Sequence, residues 1–290
     1  MPMRLDDLLM AVYLPRRLPD AKPDTIRNYR WCFGRFATFL GHEPRVGDLT
    51  EESIGAFLRS MNDGRHAPAT VNRCLYCLLG LAKVAFRKRL LPEEPILRPL
   101  REFRHVPTAW TALEMRRLID ATDRFRPLRR ISGVNARAWW RAFLVVAYAT
   151  GARRSAMLGL VWSDVDFAAG SIRLRAETAK TRAEQVVFVC RECVAALRLI
   201  LQPARKLVFP DDRHQVAFYK DWDRLLRWAG LPGGRWNKTQ RIRRTAATHA
   251  ESIASGAGQS LLGHSSQEMT TQHYLDPSQL PRRLVILPSP

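Results

Sequence analysis

Apolar residues recur at helical spacing along most of the chain. Between Pro23 and Gly41, residues Ile26, Tyr29, Phe33, Phe36 and Leu40 form one stripe, the period that turns one face of a helix toward a core. Asp24 is the expected N-cap and Gly41 the expected stop. Arg27, Arg30 and Arg35 fall off the stripe and are left for solvent or a phosphate backbone. A second helix is predicted to open at Thr50, with Glu51 and Glu52 at its positive end, and to run toward the turn Asn62-Asp63-Gly64. A third follows Pro68 and ends before Pro92. Cys74, Cys77, Leu78 and Leu81 share its apolar stripe, and its last turns carry Lys83, Arg87, Lys88 and Arg89. Those cations suit either a solvated helix end or phosphate contacts.

Pro92, Pro95, Pro99 and Pro107 then punctuate a basic stretch with no helical or strand period, which predicts a linker and a domain boundary near residue 103. Beyond it, Thr111-Ala-Leu-Glu114 has the capping-box pattern. A long apolar helix, AWWRAFLVVAYATG, is predicted to stop at Gly151. Ile172 and Leu174 alternate with polar residues, and with Val186-Val-Phe-Val they predict a β-hairpin whose connecting turn carries Lys180. Residues 194–201 and 218–228 read as helices, and 230–234 as a Gly- and Pro-rich loop. The expected fold is therefore mainly α: an all-helical domain over 1–103, then a mixed, mostly helical domain over 104–290 with a small antiparallel sheet.

Charge narrows the class of partner. Lys and Arg number 47 against 27 Asp and Glu, a formal net charge of +20 and a pI near 10.9. A chain this basic is expected to meet a polyanion, nucleic acid first. No apolar run long enough to span a bilayer and no Lys-rich amphipathic anchor is expected, so a membrane is not expected as a partner. The start of the chain, with Asp6 and Asp7 inside its only apolar stretch, reads poorly as a signal peptide, and a cytoplasmic location is the default. Cys74/Cys77 and Cys190/Cys193 have the two-residue gap of zinc ligands, but more than a hundred residues separate the pairs. In an apolar stripe cysteine acts as a small hydrophobe, so no metal and no cofactor are expected.

Candidate chemistry lies toward the end of the chain. Residues 235–244, RWNKTQRIRR, hold five cations and no acid, and arginine forks bind phosphate oxygens in pairs. Residues 261–274, LLGHSSQEMTTQHY, place an imidazole and a phenol near each other. Tyrosine alone, with an unperturbed pKa of about 10, is a weak nucleophile and needs cations and proton donors around it.

The ordered boxes resemble those of the tyrosine recombinases (phage integrases). The family's Thr-Gly-Leu-Arg-x-Ser-Glu box stands here as Thr150-Gly-Ala-Arg153-Arg-Ser-Ala156, followed by LGLVWSDVD. Its hairpin lysine is similar to Lys180, its second arginine box to Gln240-Arg-Ile-Arg243-Arg-Thr, and its closing box to Leu262-Gly-His264-Ser-Ser with Thr271-Gln-His-Tyr274.

The resemblance implies a core-binding domain over 1–103 and a catalytic domain over 104–290 that together clamp double-stranded DNA, with protomers assembling on paired sites, a tetramer in all. It implies that Arg153 and Arg243 grip the scissile phosphate, that Tyr274 attacks phosphorus to leave a 3′-phosphotyrosyl link, and that Lys180 protonates the departing 5′ oxygen. His264 would bond the phosphate or steady its neighbours. Exchange then needs no external energy source, and the activity implied is site-specific DNA recombination or integration, as in a mobile element. Two positions depart from the pattern. Gln240 replaces a histidine, and an amide cannot take the tyrosine proton, which leaves Lys238 or His249 as possible substitutes. Ala156 stands where the family has an acid. A weakened or inactive DNA-binding protein on the same scaffold is the alternative. Arg154 and Arg244 are expected as nonspecific phosphate contacts, and His273 as a surface residue.

Overall fold

The computed structural model describes residues 3–103, 105–176, 183–202 and 204–281. The chain forms two compact units, Met1–Arg104 and His105–Pro290, and is mainly α. Lys180 lies outside the described residues, as does Leu284-Val-Ile-Leu287, an apolar run for which the sequence allows packing on its own domain or on a neighbouring protomer.

Within the first unit, Pro23–Leu40, Glu51–Met61 and Pro68–Arg87 are helices where the apolar spacing puts them. Thr50 caps the second by accepting from the Ser53 N–H at 3.1 Å. The first differs in its cap: Pro23 holds the opening helical position and Lys22 the cap position, where no side chain caps the helix. Asp24 instead pairs with Arg27 at 2.8 Å, because proline's fixed φ already suits a helix's first turn.

An unanticipated helical segment covers residues 5–17. Its middle, Leu8–Tyr13, is π-helical, with the Leu14 N–H bonded to the Leu9 carbonyl. That wider turn shifts Leu5, Leu8, Leu9, Tyr13 and Leu14 onto one buried face while blurring the ordinary period.

Pro68–Arg87 is, contrary to expectation, long and apolar enough by length and composition to cross a membrane. Its Val71, Cys74, Leu75, Leu78 and Leu81 are buried in one cluster with Cys32, Phe36 and Phe57. Among its described residues the Pro-rich stretch after it has no helix or strand, yet its part up to Glu102 is held to the first unit. The Asn72 side chain exchanges two 2.8 Å bonds with the Leu100 backbone and donates a third, also 2.8 Å, to Glu102.

The second unit is built around Ala136–Thr150. Trp139, Trp140 and Phe143 on this helix are fully buried with Phe209, Phe218 and Trp222. Arg191–Ile200 and Gln240–Ile253 pack against it. Thr111 and Glu114 form the expected capping box at Ala112–Asp120. Gln215–Trp228 begins a turn earlier than its apolar period, because His214 accepts from the Val216 N–H and caps it.

Two small antiparallel sheets complete the unit. Strands β1 (Arg130–Ile131) and β2 (Val134–Asn135) flank a two-residue turn at Ser132 and Gly133, with φ of 45° and 83°. Strands β4 (Ser171–Leu174) and β5 (Gln185–Phe188) form the predicted hairpin, with Ile172 opposite Val187 and Leu174 opposite Gln185. β3 (Val165–Asp166) adds a third strand on the far side of β4. Asp164, 4% exposed, accepts from Arg173 at 3.2 Å and Arg175 at 2.9 Å, which ties the Trp-x-Asp segment to the end of β4.

Candidate active site

Every described candidate sits at or near a helix end. Arg153 is the N-cap of Arg154–Leu158, two residues past Gly151. Gln240 opens Gln240–Ile253, and Arg243 lies on its first turn. His264 follows Gly263, the cap of Ala257–Leu262, and Tyr274 closes Gln267–Tyr274. Gly151 makes the first junction possible. It ends Ala136–Thr150 in the left-handed region at φ 59°, a conformation costly for a residue with a side chain. A Cβ there would come within 3.0 Å of Leu262. The same turn aims the Gly151 carbonyl at Arg243, whose Nη1 donates to it at 2.6 Å.

Arg243 is 4% exposed. Its Nη2 donates to the Leu262 carbonyl at 3.0 Å and meets His264 Nε2 at 3.1 Å, while its Nε has no partner among the described residues. No carboxylate pairs with it among those residues. Burial, with the charge of nearby Arg153, pushes its pKa down to about 10; Tyr274 pulls the other way. An unpaired buried cation is costly, and an incoming anion removes that cost. Arg153 itself is half-buried, with no acid partner among the described residues.

Around this cation stand an imidazole and a phenol. His264 is 7% exposed, and its ring lies 4.7 Å from that of Tyr274. Burial first, then the charges of Arg243, Arg153 and His273, hold its pKa down to about 4, so it is neutral at pH 7. The Tyr274 ring lies 5.4 Å from the Arg243 guanidinium carbon. Its hydroxyl oxygen accepts from Gln240 Nε2 at 3.3 Å. Two guanidiniums, a neutral imidazole and a phenol thus converge, a set that can bind a tetrahedral oxyanion beside an oxygen nucleophile.

Neither suggested substitute for the missing histidine stands free. Lys238 pairs with Asp223 at 3.2 Å and lies over the Tyr219 ring, and His249 Nδ1 shares a 2.7 Å bond with the Tyr148 hydroxyl. Ala156 is buried among apolar side chains. Arg154 lies over the Phe218 and Tyr219 rings, Arg244 donates to the Trp236 carbonyl at 2.8 Å, and His273 is exposed.

Several residues that hold the site in place lack any sequence signature. Gln185, the first residue of β5, donates to the Ser260 and Leu261 carbonyls at 2.9 and 3.1 Å, tying the hairpin to the segment before His264. Glu251 accepts from the Gly256 and Gly258 N–H groups at 2.9 and 3.0 Å, capping Ala257–Leu262. Gly258 lets that helix approach, since a Cβ there would lie 2.7 Å from the Ala247 carbonyl. Asp276, two residues past the phenol, is 6% exposed. It accepts from the Ala109 N–H at 2.9 Å and from Ser278, and its own N–H donates to Thr248 at 3.0 Å. Thr245 accepts from the Trp110 N–H at 2.9 Å. The beginning of the second unit is thus bonded to the helix of Arg243 and to the chain just past Tyr274. Their bonds and close approaches, and the burial of Asp276 and Thr245, distinguish these residues, and neither is legible in a sequence.

The description "Phage integrase family" matches residues 110–280. Tyrosine recombinase XerC of Chlamydia muridarum is 28% identical over 88% of this chain and 89% of its own length. The fold is similar to that of a lambda integrase dimer bound to a COC′ core site, with a TM-score of 0.72 and 17% identity over 99% of this chain and 81% of that one. It also resembles a lambda integrase tetramer bound to a Holliday junction, at a TM-score of 0.68 and 18% identity over 90% of this chain and 75% of that one. With the family's pattern matched across more than half its length, on this fold and with these side chains convergent, the chain belongs to the phage integrase family.

Proposed function

We propose that the protein is a site-specific DNA recombinase that cleaves and rejoins duplex DNA through a 3′-phosphotyrosyl intermediate. The observation that carries this reading is the Tyr274 hydroxyl beside Arg243, a buried cation with an unpartnered N–H and no carboxylate among the described residues. Family membership supports the recombinase activity; the geometry around Arg243, His264, Gln240 and Tyr274 supports the roles of those residues, and the role of Lys180 rests on the resemblance alone.

Arg243 and Arg153 bind the nonbridging oxygens of the scissile phosphate and offset the charge that builds up as phosphorus becomes five-coordinate. The Tyr274 oxygen forms its bond to phosphorus as the bond to the 5′ oxygen breaks. Lys180 gives that oxygen a proton, so a 5′ hydroxyl leaves. Attack by a 5′ hydroxyl from another strand reverses these steps, and no external energy source is required. His264, neutral and bonded to Arg243, holds the guanidinium in place. Gln240 aligns the phenol oxygen by donating to it; an amide takes no proton, so the half-buried phenol passes its proton to solvent water. The partner is double-stranded DNA, and the chain works as a homo-oligomer on paired sites. The tetrameric lambda integrase on a Holliday junction supports a tetramer.

Incubation with nicked suicide DNA carrying the cognate site tests the reading. A covalent protein–DNA adduct is expected, and Tyr274→Phe abolishes it. Tight binding to that site with no adduct overturns the enzymatic reading in favour of a catalytically inactive DNA-binding protein, which the loss of a histidine at Gln240 and of an acid at Ala156 would explain.

A further inference from the structure

We propose that Thr270 is a positioning residue that fixes His264 as its Nδ1–H tautomer and so keeps the Nε2 lone pair on Arg243. The directions of four hydrogen-bonding groups support this. Arg243 Nη2 is a donor only and lies 3.1 Å from His264 Nε2, so Nε2 must offer its lone pair. The ring proton then resides on Nδ1, which faces Thr270 Oγ1 at 3.0 Å. Thr270 has one hydroxyl proton, and the Ser266 carbonyl accepts it at 3.2 Å. The hydroxyl lone pairs are thereby left for Nδ1–H. The opposite tautomer would set an Nε2–H against the Arg243 N–H and strand a lone pair at Nδ1.

Position makes the arrangement stringent. Thr270 is fully buried, so water has no ready access to replace it. It lies one helical turn before Tyr274 on Gln267–Tyr274, the spacing that puts two residues on one face. A single turn therefore carries both the phenol and the group that orients its neighbouring imidazole. The sequence motif draws attention to Thr271, which is exposed; its neighbour reaches the site. The inference rests on the functional reading only for its consequence, since the tautomer is a property of the free protein.

Long-range nitrogen–proton NMR of the full chain with ¹⁵N-labelled histidine tests it, with His264 assigned by loss of its signals in His264→Gln. At pH 7 the wild type is expected to show a protonated-type Nδ1 and an unprotonated-type Nε2. Thr270→Ser, which retains the hydroxyl, preserves that signature, and Thr270→Val loses it. A wild-type ring protonated at Nε2 overturns the proposal whether or not the variants fold. So does a folded Thr270→Val with an unchanged signature. On nicked DNA, Thr270→Val is expected to form adduct about tenfold more slowly, the equivalent of one hydrogen bond lost at the site. A wild type that shows the signature but forms no adduct refutes the functional reading and leaves the tautomer assignment standing.

Discussion

Arginine is used in two ways in this molecule. On the first unit, Arg27 and Arg30 are exposed and pair with Asp24 and Asp6, each at 2.8 Å. Arg35 and Arg73 lie over Trp31, 5.4 and 4.6 Å from its ring centre. These charges are solvated, and long side chains in water settle on a polyanion at little cost. In the second unit Arg243 is buried, fixed by two carbonyls and an imidazole, and short of an anion. Both kinds add to the same formal charge, yet only the buried one is oriented before a ligand arrives. Composition reveals the capacity to attract a polyanion; burial without a counterion marks where an anion would relieve an unpaired charge.

Breaking the buried side should have the largest effect. Arg243→Ala is expected to lower adduct formation on nicked DNA by about 10²–10³-fold, the scale for removing one preorganised donor to a developing oxyanion, with DNA binding much less affected. Arg243→Lys should recover little, because an ammonium cannot reach both carbonyls and the imidazole from one planar fork. Single-turnover cleavage beside a gel-shift titration checks both; equal losses of cleavage and binding would place Arg243 with the solvated arginines.

The supports of the buried site come next. Asp276→Ala removes the acceptor of the buried Ala109 N–H and of the Ser278 N–H and hydroxyl. Stranding such groups costs about 1–3 kcal/mol, and urea unfolding should show a loss near the upper end. The Asp276 carboxyl is held below its usual range chiefly by bonds from Ala109 and Ser278, which outweigh the opposing effect of burial. Its contribution is therefore present above the ordinary carboxylate pKa and is lost as pH falls through the lower, folded one.

The two uses of arginine also differ in how well a sequence exposes them. The helices at Pro23–Leu40 and Ala136–Thr150 follow from apolar period and a terminal glycine, and the β4–β5 hairpin from alternation. Ser132-Gly133 between Ile131 and Val134 is a hairpin signal as well, but the flanking strands have only two residues each, too few for alternation to stand out. The helix over residues 5–17 is hidden by its π turn. The candidates Arg153, Arg243, His264 and Tyr274 are legible because the boxes that carry them resemble a known family's, and Gln240 because it departs from that pattern. Thr270 and Asp276 are common polar residues whose significance comes from burial and bond direction, and half-buried Gln185 matters through its bonds to the Ser260 and Leu261 carbonyls; the fold creates all of these.

Acid should separate the buried site from the rest of the chain. The folded protein keeps His264 neutral, with a pKa near 4, while an unfolded histidine takes a proton near 6.5. As pH falls below about 6.5 the unfolded state gains a proton that the folded state refuses, so stability falls; below about 4 both states are protonated and this slope ends. By pH 5 the loss amounts to about 2 kcal/mol. Urea midpoints at pH 7 and pH 5 for wild type and His264→Gln check this. The variant should lose less stability between the two, and an identical loss would mean that His264 titrates normally.

The smallest effect is expected on the solvated side. Arg73 is exposed, lies over Trp31 and has no acid partner among the described residues, so Arg73→Ala should leave the thermal midpoint within error. If the side chain meets a phosphate, the substitution should weaken DNA binding evenly across sequences and reduce the slope of log K against log salt by about 0.9. Arg27, already paired with Asp24, would have to give up that partner to meet a phosphate, so Arg27→Ala should change the slope less. Gel-shift titrations at several salt concentrations distinguish the two. An unchanged slope for Arg73→Ala together with altered sequence preference would make Arg73 a base-reading residue, and the first unit's arginines would then be as specifically placed as Arg243.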